Sequence, residues 1–222
     1  MRILGIDTTT KYLSLGIFDG SRTYEYNLDL GVRHSTLLVP TIKRVLDAVG
    51  LDIKKIDYFA CGLGPGSFTG MRVGLATIKG LSWACKKPIV GISTLDILAK
   101  NVKSTDKQIV AAIDAKRKLI YCGVFKNTGR FKRLKKYMLL GEDELLKVIE
   151  PESIILGDAI LLYKEGIFKK IKGVSFLEKD CWYPKGHNII ELALERIKEG
   201  KTSNALNVNP IYLYPKECQI KR

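Results

Sequence analysis

The chain has 222 residues, 46% of them hydrophobic and 27% charged, a balance that excludes disorder and suffices for one large domain or two lobes of about 100 residues each. Its 37 lysines and arginines against 23 aspartates and glutamates leave a net charge of +14, which favours RNA, acidic partners or anionic ligands. No apolar run approaches the ~18 residues of a membrane span, Asp7 interrupts the apolar start, and five scattered cysteines (Cys61, Cys85, Cys122, Cys181, Cys218) form no Cys-x-x-Cys pair, so we expect a cytoplasmic protein kept reduced.

Ile3–Ile6 and Tyr12–Phe18 read as strands, and Asp19–Gly20 turns the chain into a third over Thr23–Leu28. Ser35 then caps a helix with Leu38, Ile42, Val45, Leu46 and Val49 on one stripe and Gly50 as its stop; Pro40 predicts a kink or a later start. A buried strand at Tyr58–Cys61 leads through the glycine-rich loop Gly62–Gly66 into a helix over Thr69–Ala84. Pro88–Ile92 is the next strand, and Ser93 or Thr94 caps a third helix.

The second half repeats this order. A gapless displacement of 107 places IDTTTKYLSLGIF, from Ile6, over IDAKRKLIYCGVF, from Ile113, matching Asp7 with Asp114 and Gly16 with Gly123. A strand at Phe131–Leu139, a helix at Glu142–Ile149 and a strand at Ser153–Leu156 follow, and Asn188–Lys198 is a closing amphipathic helix. The expected fold class is α/β, with a strand–strand–strand–helix–strand–helix unit used twice: residues 1–104 and 105–222, hinged near Ser104. This order resembles the two RNase H-like lobes of the actin, hexokinase and Hsp70 fold.

Asp7 and Asp114, at matching strand ends, can hold a metal-bound phosphate, with Thr8, Thr9 and Thr10, and later Gly157 and Asp158, beside them. The alternative for Asp7 is a turn cap. The run Gly62–Gly80 lacks the Gly-Lys-Ser/Thr of a P-loop. Its helix carries Gly70, Gly74, Ala76, Gly80 and Ala84, and each interior glycine costs about 1 kcal/mol of helix propensity. Two explanations stand: packing inside its own lobe, or close approach of a partner helix. The only histidines, His34 and His187, stand alone, which argues against the paired ligands of a zinc protease. The basic stretches Lys116–Lys118, Arg130–Lys136 and Lys216–Arg222 suit RNA contact or a solvated surface.

GPGSFTGMRVGLATIKGLSWACKKPIVGISTLDILA, with ILGIDTTT, IDAKRKLIY, Gly157–Ala159 and PIYLYP, resembles the TsaB (YeaZ) family of tRNA threonylcarbamoyladenosine biosynthesis proteins. Lys116 and Tyr214 stand where that family often has arginine. The resemblance implies a subunit without catalytic residues, metal or cofactor of its own, with ATP and metal on its partners. It would support transfer of a threonylcarbamoyl group to the adenosine beside the anticodon of tRNA by pairing with a TsaD-like catalytic subunit and a TsaE-like ATPase, and would be a homodimer when alone. tRNA would be met through the complex, and no membrane is involved. The implied interface lies on the first two helices, at Ser35, Leu38, Thr41, Ile42, Val45, Gly70, Arg72, Gly74, Ala76, Thr77, Gly80 and Leu81. The rival readings are an ATP-dependent phosphotransferase of the same two-lobed fold and an RNase H-like nuclease, both using Asp7, Asp114 and Asp158.

Overall fold

A computed structural model describes residues 1–31 and 33–215; Cys218 and the basic segment 216–222 lie outside the described residues. The chain folds as two compact units, Met1–Ile97 with Pro184–Ile211, and Leu98–Tyr183 with Tyr212–Pro215. This differs from the linear cut expected near Ser104, because the last helix returns to the first unit.

In the first unit β1 (Ile3–Asp7), β2 (Tyr12–Phe18) and β3 (Thr23–Asp29) form an antiparallel meander, followed by α1 (His34–Ala48), β4 (Tyr58–Gly62), α2 (Phe68–Cys85), β5 (Ile89–Ile92) and α3 (Thr94–Ala99). The sheet order is β3-β2-β1-β4-β5, with β1, β4 and β5 mutually parallel. In the second unit come β6 (Thr105–Asp114), β7 (Ile120–Asn127), β8 (Phe131–Arg133), β9 (Met138–Leu140), α4 (Glu142–Leu146), β10 (Ile154–Leu156), α5 (Ile160–Tyr163) and β11 (Ser175–Phe176), in the order β11-β10-β6-β7-β8 with β9 also on β7. The closing helix is α6 (Gly186–Lys198). The fold is α/β, two RNase H-like lobes each built on a mixed sheet. No helix among the described residues is long and apolar enough to cross a membrane.

Alternation along the central strands explains the layering. Leu4, Ile6, Leu13, Leu15 and Ile17 enter one core with the apolar stripe of α1 and with Leu75 and Ile78 of α2. The opposite face of the same sheet is covered by α6, where side chains are removed to let backbones meet. A Cβ on Gly16 would lie 2.3 Å from the Gly186 carbonyl oxygen, one on Gly186 2.1 Å from that of Leu15, and one on Gly5 2.6 Å from Ile189. The Arg196 guanidinium then bonds the Gly91 carbonyl at 2.6 Å and Asp96 at 3.1 Å, and His187 at the helix start bonds Glu25 of β3 through its backbone N–H (3.0 Å) and its ring. The Glu25 carboxyl is half-buried, which raises it, yet the bonds from His187 outweigh that and hold it down at about 2. α1 starts at His34 with Arg33 at its cap position and no side-chain cap bond, so Ser35 does not cap it; the helix runs on through Pro40.

The repeat is imperfect in an informative way. Asp7 pairs with Ser14, whereas Asp114 pairs with Ile120, so the second hairpin is one residue shorter. Lys116, Arg117 and Lys118 close it with consecutive positive φ angles of 64°, 52° and 59°. The gapless displacement matches Leu4 and Ile6 with Ala111 and Ile113, yet Val110 and Ala112 enter the second core. Asp7 and Asp114 are therefore one residue out of step and leave opposite faces of their strands.

The single strand expected over Phe131–Leu139 is two. Phe125 pairs with Arg133 and Cys122 with Met138, so four residues on the edge face two on β7, a bulge containing Lys135 and Lys136. Lys126 and Lys132 stand directly opposite each other, and neither they nor Lys135 and Lys136 form an ion pair among the described residues.

Because Gly16 leaves no room for a Cβ, Gly16→Ala should push α6 off the sheet and cost about 2 kcal/mol, in the range of other overpacked cores. A urea midpoint unchanged from the parent would refute this packing account.

Candidate functional site

The loop after β1 is closed by its own carboxylate. Asp7 is 1% exposed; its Oδ1 accepts from the Thr9 N–H and hydroxyl, both at 2.8 Å, and its Oδ2 from the Thr94 hydroxyl at 2.7 Å. Thr94 also receives the Gly64 N–H at 3.2 Å, tying the glycine-rich loop to the same carboxylate. Gly62 has no space for a Cβ, which would fall 2.0 Å from Oδ2. Burial raises the Asp7 pKa above its ordinary 3.8, and the bonds from Thr9 and Thr94 offset only part of that. The same burial, with the Asp7 charge nearby, pushes the Cys61 thiol far up. Thr8 is buried as well, its hydroxyl donating to the Gly70 carbonyl at 2.7 Å, and Thr10 bonds Tyr12 locally. The geometry is that of the turn cap.

In the second unit Asp114 accepts from the Lys116 N–H at 2.8 Å and pairs with its ammonium group, while the Asp114 N–H donates to Asp158 Oδ1 at 2.9 Å. Burial raises the Asp158 carboxyl, and the Gly157 backbone, at φ 114°, lies against Ala112 where a Cβ would come within 2.0 Å of a carbonyl oxygen. Tyr214 anchors the turn by donating to the Ala115 carbonyl at 2.8 Å. The carboxylates expected to share one ligand are thus each bound within their own unit.

The α2 helix carries its small residues on two opposite rows. Gly70, Gly74, Ile78 and Ser82 face inward, and a Cβ on Gly70 or Gly74 would fall 2.0 Å from the Thr8 carbonyl oxygen or 2.2 Å from its hydroxyl. Two residues further round, Phe68, Arg72, Ala76, Gly80 and Ala84 run at intervals of four along the exposed side, since two positions turn a helix by about 200°. Nothing lies within 4 Å of a Cβ placed on Gly80. The expected interface is corrected accordingly. Leu38, Thr41, Ile42 and Val45 of α1 and Gly70 and Gly74 of α2 are buried in their own lobe, because the same apolar and small residues build its core. Ser35, Arg72, Ala76 and Gly80 are exposed, while Thr77 and Leu81 are half-buried.

Sequence reasoning missed the aromatic ends of this outward row. Phe68 is 42% and Trp83 72% exposed, with the Arg72 guanidinium 3.7 Å over the Phe68 ring and an apolar recess of about 500 Å³ beside Trp83, Pro88, Ala205 and Leu206. It also missed His34, which is 5% exposed at the start of α1 with both ring nitrogens unpartnered among the described residues. No sequence signal separates a buried histidine without a partner from one on the surface.

The family model for TsaD, tRNA N6-adenosine threonylcarbamoyltransferase, matches residues 30–206. The tRNA threonylcarbamoyladenosine biosynthesis protein TsaB of Buchnera aphidicola (subsp. Schizaphis graminum) is 32% identical over 198 residues, covering 85% of this chain and 90% of that protein. TsaB of Escherichia coli K12 is 27% identical, covering 96% and 94%. Among solved structures, YeaZ from Pseudomonas aeruginosa superposes with a TM-score of 0.82 at 23% identity, over 95% of this chain and 100% of that one.

With its pKa raised by burial, Asp7 binds its proton more tightly in the native state than in the unfolded chain. Its contribution to stability is fully present below about pH 3.8 and is lost as pH rises through the native value. Asp7→Asn lacks that loss, so the stability advantage of the parent over the variant should shrink as pH rises across this window. Urea titrations at a series of pH values that show a constant or growing advantage would contradict the assignment.

Proposed function

Since the chain belongs to the tRNA N6-adenosine threonylcarbamoyltransferase family, and within it to the TsaB (YeaZ) proteins of threonylcarbamoyladenosine biosynthesis, we propose that it serves this tRNA modification as a non-catalytic subunit, docking through the outward row of α2 onto a TsaD-like catalytic subunit. The observation that carries this reading is the row itself: Ala76, Gly80 and Ala84 offer small side chains between the exposed Phe68–Arg72 pair at one end and exposed Trp83 at the other. Gly80 costs the helix about 1 kcal/mol and relieves no crowding inside the lobe. A glycine kept on an open helical face suits a second backbone coming close there.

A TsaE-like ATPase completes the assembly, and ATP and metal belong to the partner subunits. When the catalytic subunit is absent, a second copy of this chain takes the same face. tRNA is met through the complex, where the unpaired cations of the β7–β8 edge are suited to its phosphates. The phosphotransferase reading is disfavoured because Asp7 has both oxygens bonded to threonines and Asp114 is paired with Lys116.

The two rows give a decisive comparison. Gly80→Leu should stabilise the isolated chain by up to about 1 kcal/mol through helix propensity, yet weaken capture of the catalytic subunit at least tenfold, about 1.4 kcal/mol. Gly74→Leu should instead unfold the first unit. Co-purification and calorimetric titration with the TsaD-like subunit test this; full affinity in the Gly80 variant would refute the interface.

A further inference from the structure

A cavity of about 230 Å³ lies where the first turns of α1 and α2 converge, lined by His34, Ser35, Ser67, Thr69, Thr8 and Thr10 among others. We propose that it is a binding site for a small oxyanion, a phosphate or a carboxylate group, with His34 as its principal donor.

Four observations converge on that chemistry. First, both His34 ring nitrogens are buried without a partner among the described residues. An imidazole always carries at least one N–H, and a buried donor left unsatisfied is destabilising, so an acceptor is missing from the described surroundings. Second, the cavity sits at the N-termini of two long helices, of 15 and 18 residues, and neither has an acidic residue in its first turn to neutralise the positive end of its dipole. Third, the backbone N–H groups of His34, Ser35 and Thr69 and the hydroxyls of Ser35 and Thr69 make no bond among the described residues, giving several donors besides the imidazole. Fourth, no lining residue is acidic. The carboxylate next to Thr8, Asp7, has both oxygens already engaged by Thr9 and Thr94, so a cation would find no free anionic ligand there.

The volume sets the size of the guest. Sites for drug-sized ligands and cofactors run to about 300–1,000 Å³, so this cavity suits a single phosphate or carboxylate group and not a whole nucleotide. The site shares Thr8 and Thr10 with the ligand position expected around Asp7, but Asp7 does not line it and its principal donors come from the starts of α1 and α2. It stands whether or not the outward row of α2 docks a partner.

The chain has only two histidines, His34 and His187, so their ring-proton NMR signals can be assigned with His187→Gln alone. Inorganic phosphate and acetate, titrated separately into the full chain, probe the two sources of the oxyanion. A saturable displacement of the His34 signal by phosphate assigns a phosphate group, and one by acetate a carboxylate group. In either case chloride at matched ionic strength should leave that signal in place, and His34→Gln should weaken the binding tenfold or more by calorimetry. No saturable displacement by either probe, an equal displacement with chloride, or undiminished affinity in His34→Gln would overturn the proposal. Should His34→Gln fail to fold, the titration of the parent chain still decides.

Discussion

The first unit depends on backbone reaching backbone around its central strand. On one side of β1 and β2, Gly5, Gly16 and Gly186 bring α6 down onto the sheet. At the strand's end, Gly62 makes room for the Asp7 carboxylate, and Gly70 and Gly74 do so for the Thr8 carbonyl and hydroxyl. Side chains at these positions would separate layers that close packing holds together. The buried carboxylate is possible for the same reason. Pressed against Gly62, Asp7 is screened from water but surrounded by hydroxyl and amide donors, which is the condition under which a buried polar group is tolerated.

That arrangement fixes where the helices begin. Thr94, which bonds Asp7, also holds the Gly64 N–H, and the Ser67 N–H donates to the Thr9 carbonyl at 2.7 Å. The first turn of α2 is thereby anchored beside that of α1, and its inward row is committed to the lobe. On the outward row, Ala76, Gly80 and Ala84 stay exposed, with open space over Gly80. The second unit has kept the strand order but not these interactions: its first hairpin is a residue shorter, its loop carries three left-handed cationic residues, and Asp114 forms an exposed-side pair with Lys116.

Much of the architecture was legible in the sequence because it is written in periodicity. The alternation of Leu13, Leu15 and Ile17, the turn at Asp19–Gly20 and the stripe on α1 each map onto an observed element. The membership of the family was legible in the glycine-rich run. What periodicity cannot supply is which of two partners a small residue faces. Gly70 and Gly80 have the same local cost, and only the position of Thr8 shows that one is filled by its own lobe and the other is open. The pairing of Asp7 with Asp114 failed for a related reason: identities in a gapless displacement do not register a one-residue slip, although such a slip sends every side chain to the other face. The β8–β9 break was hidden because a bulge leaves no mark in a mostly basic segment such as Lys132–Lys136.

One further property follows from the place of α6 in the chain. The helix that covers the second face of the first sheet is encoded only after Leu98–Tyr183, the bulk of the second unit, in Pro184–Ile211. Domains form as units while the polypeptide emerges from the ribosome, but here the earlier-made half must wait, one face of its sheet bare, until the later-made half has been synthesised. A message or nascent chain cut short before α6 thus yields an unfinished first unit with exposed apolar surface, which cellular quality control can recognise.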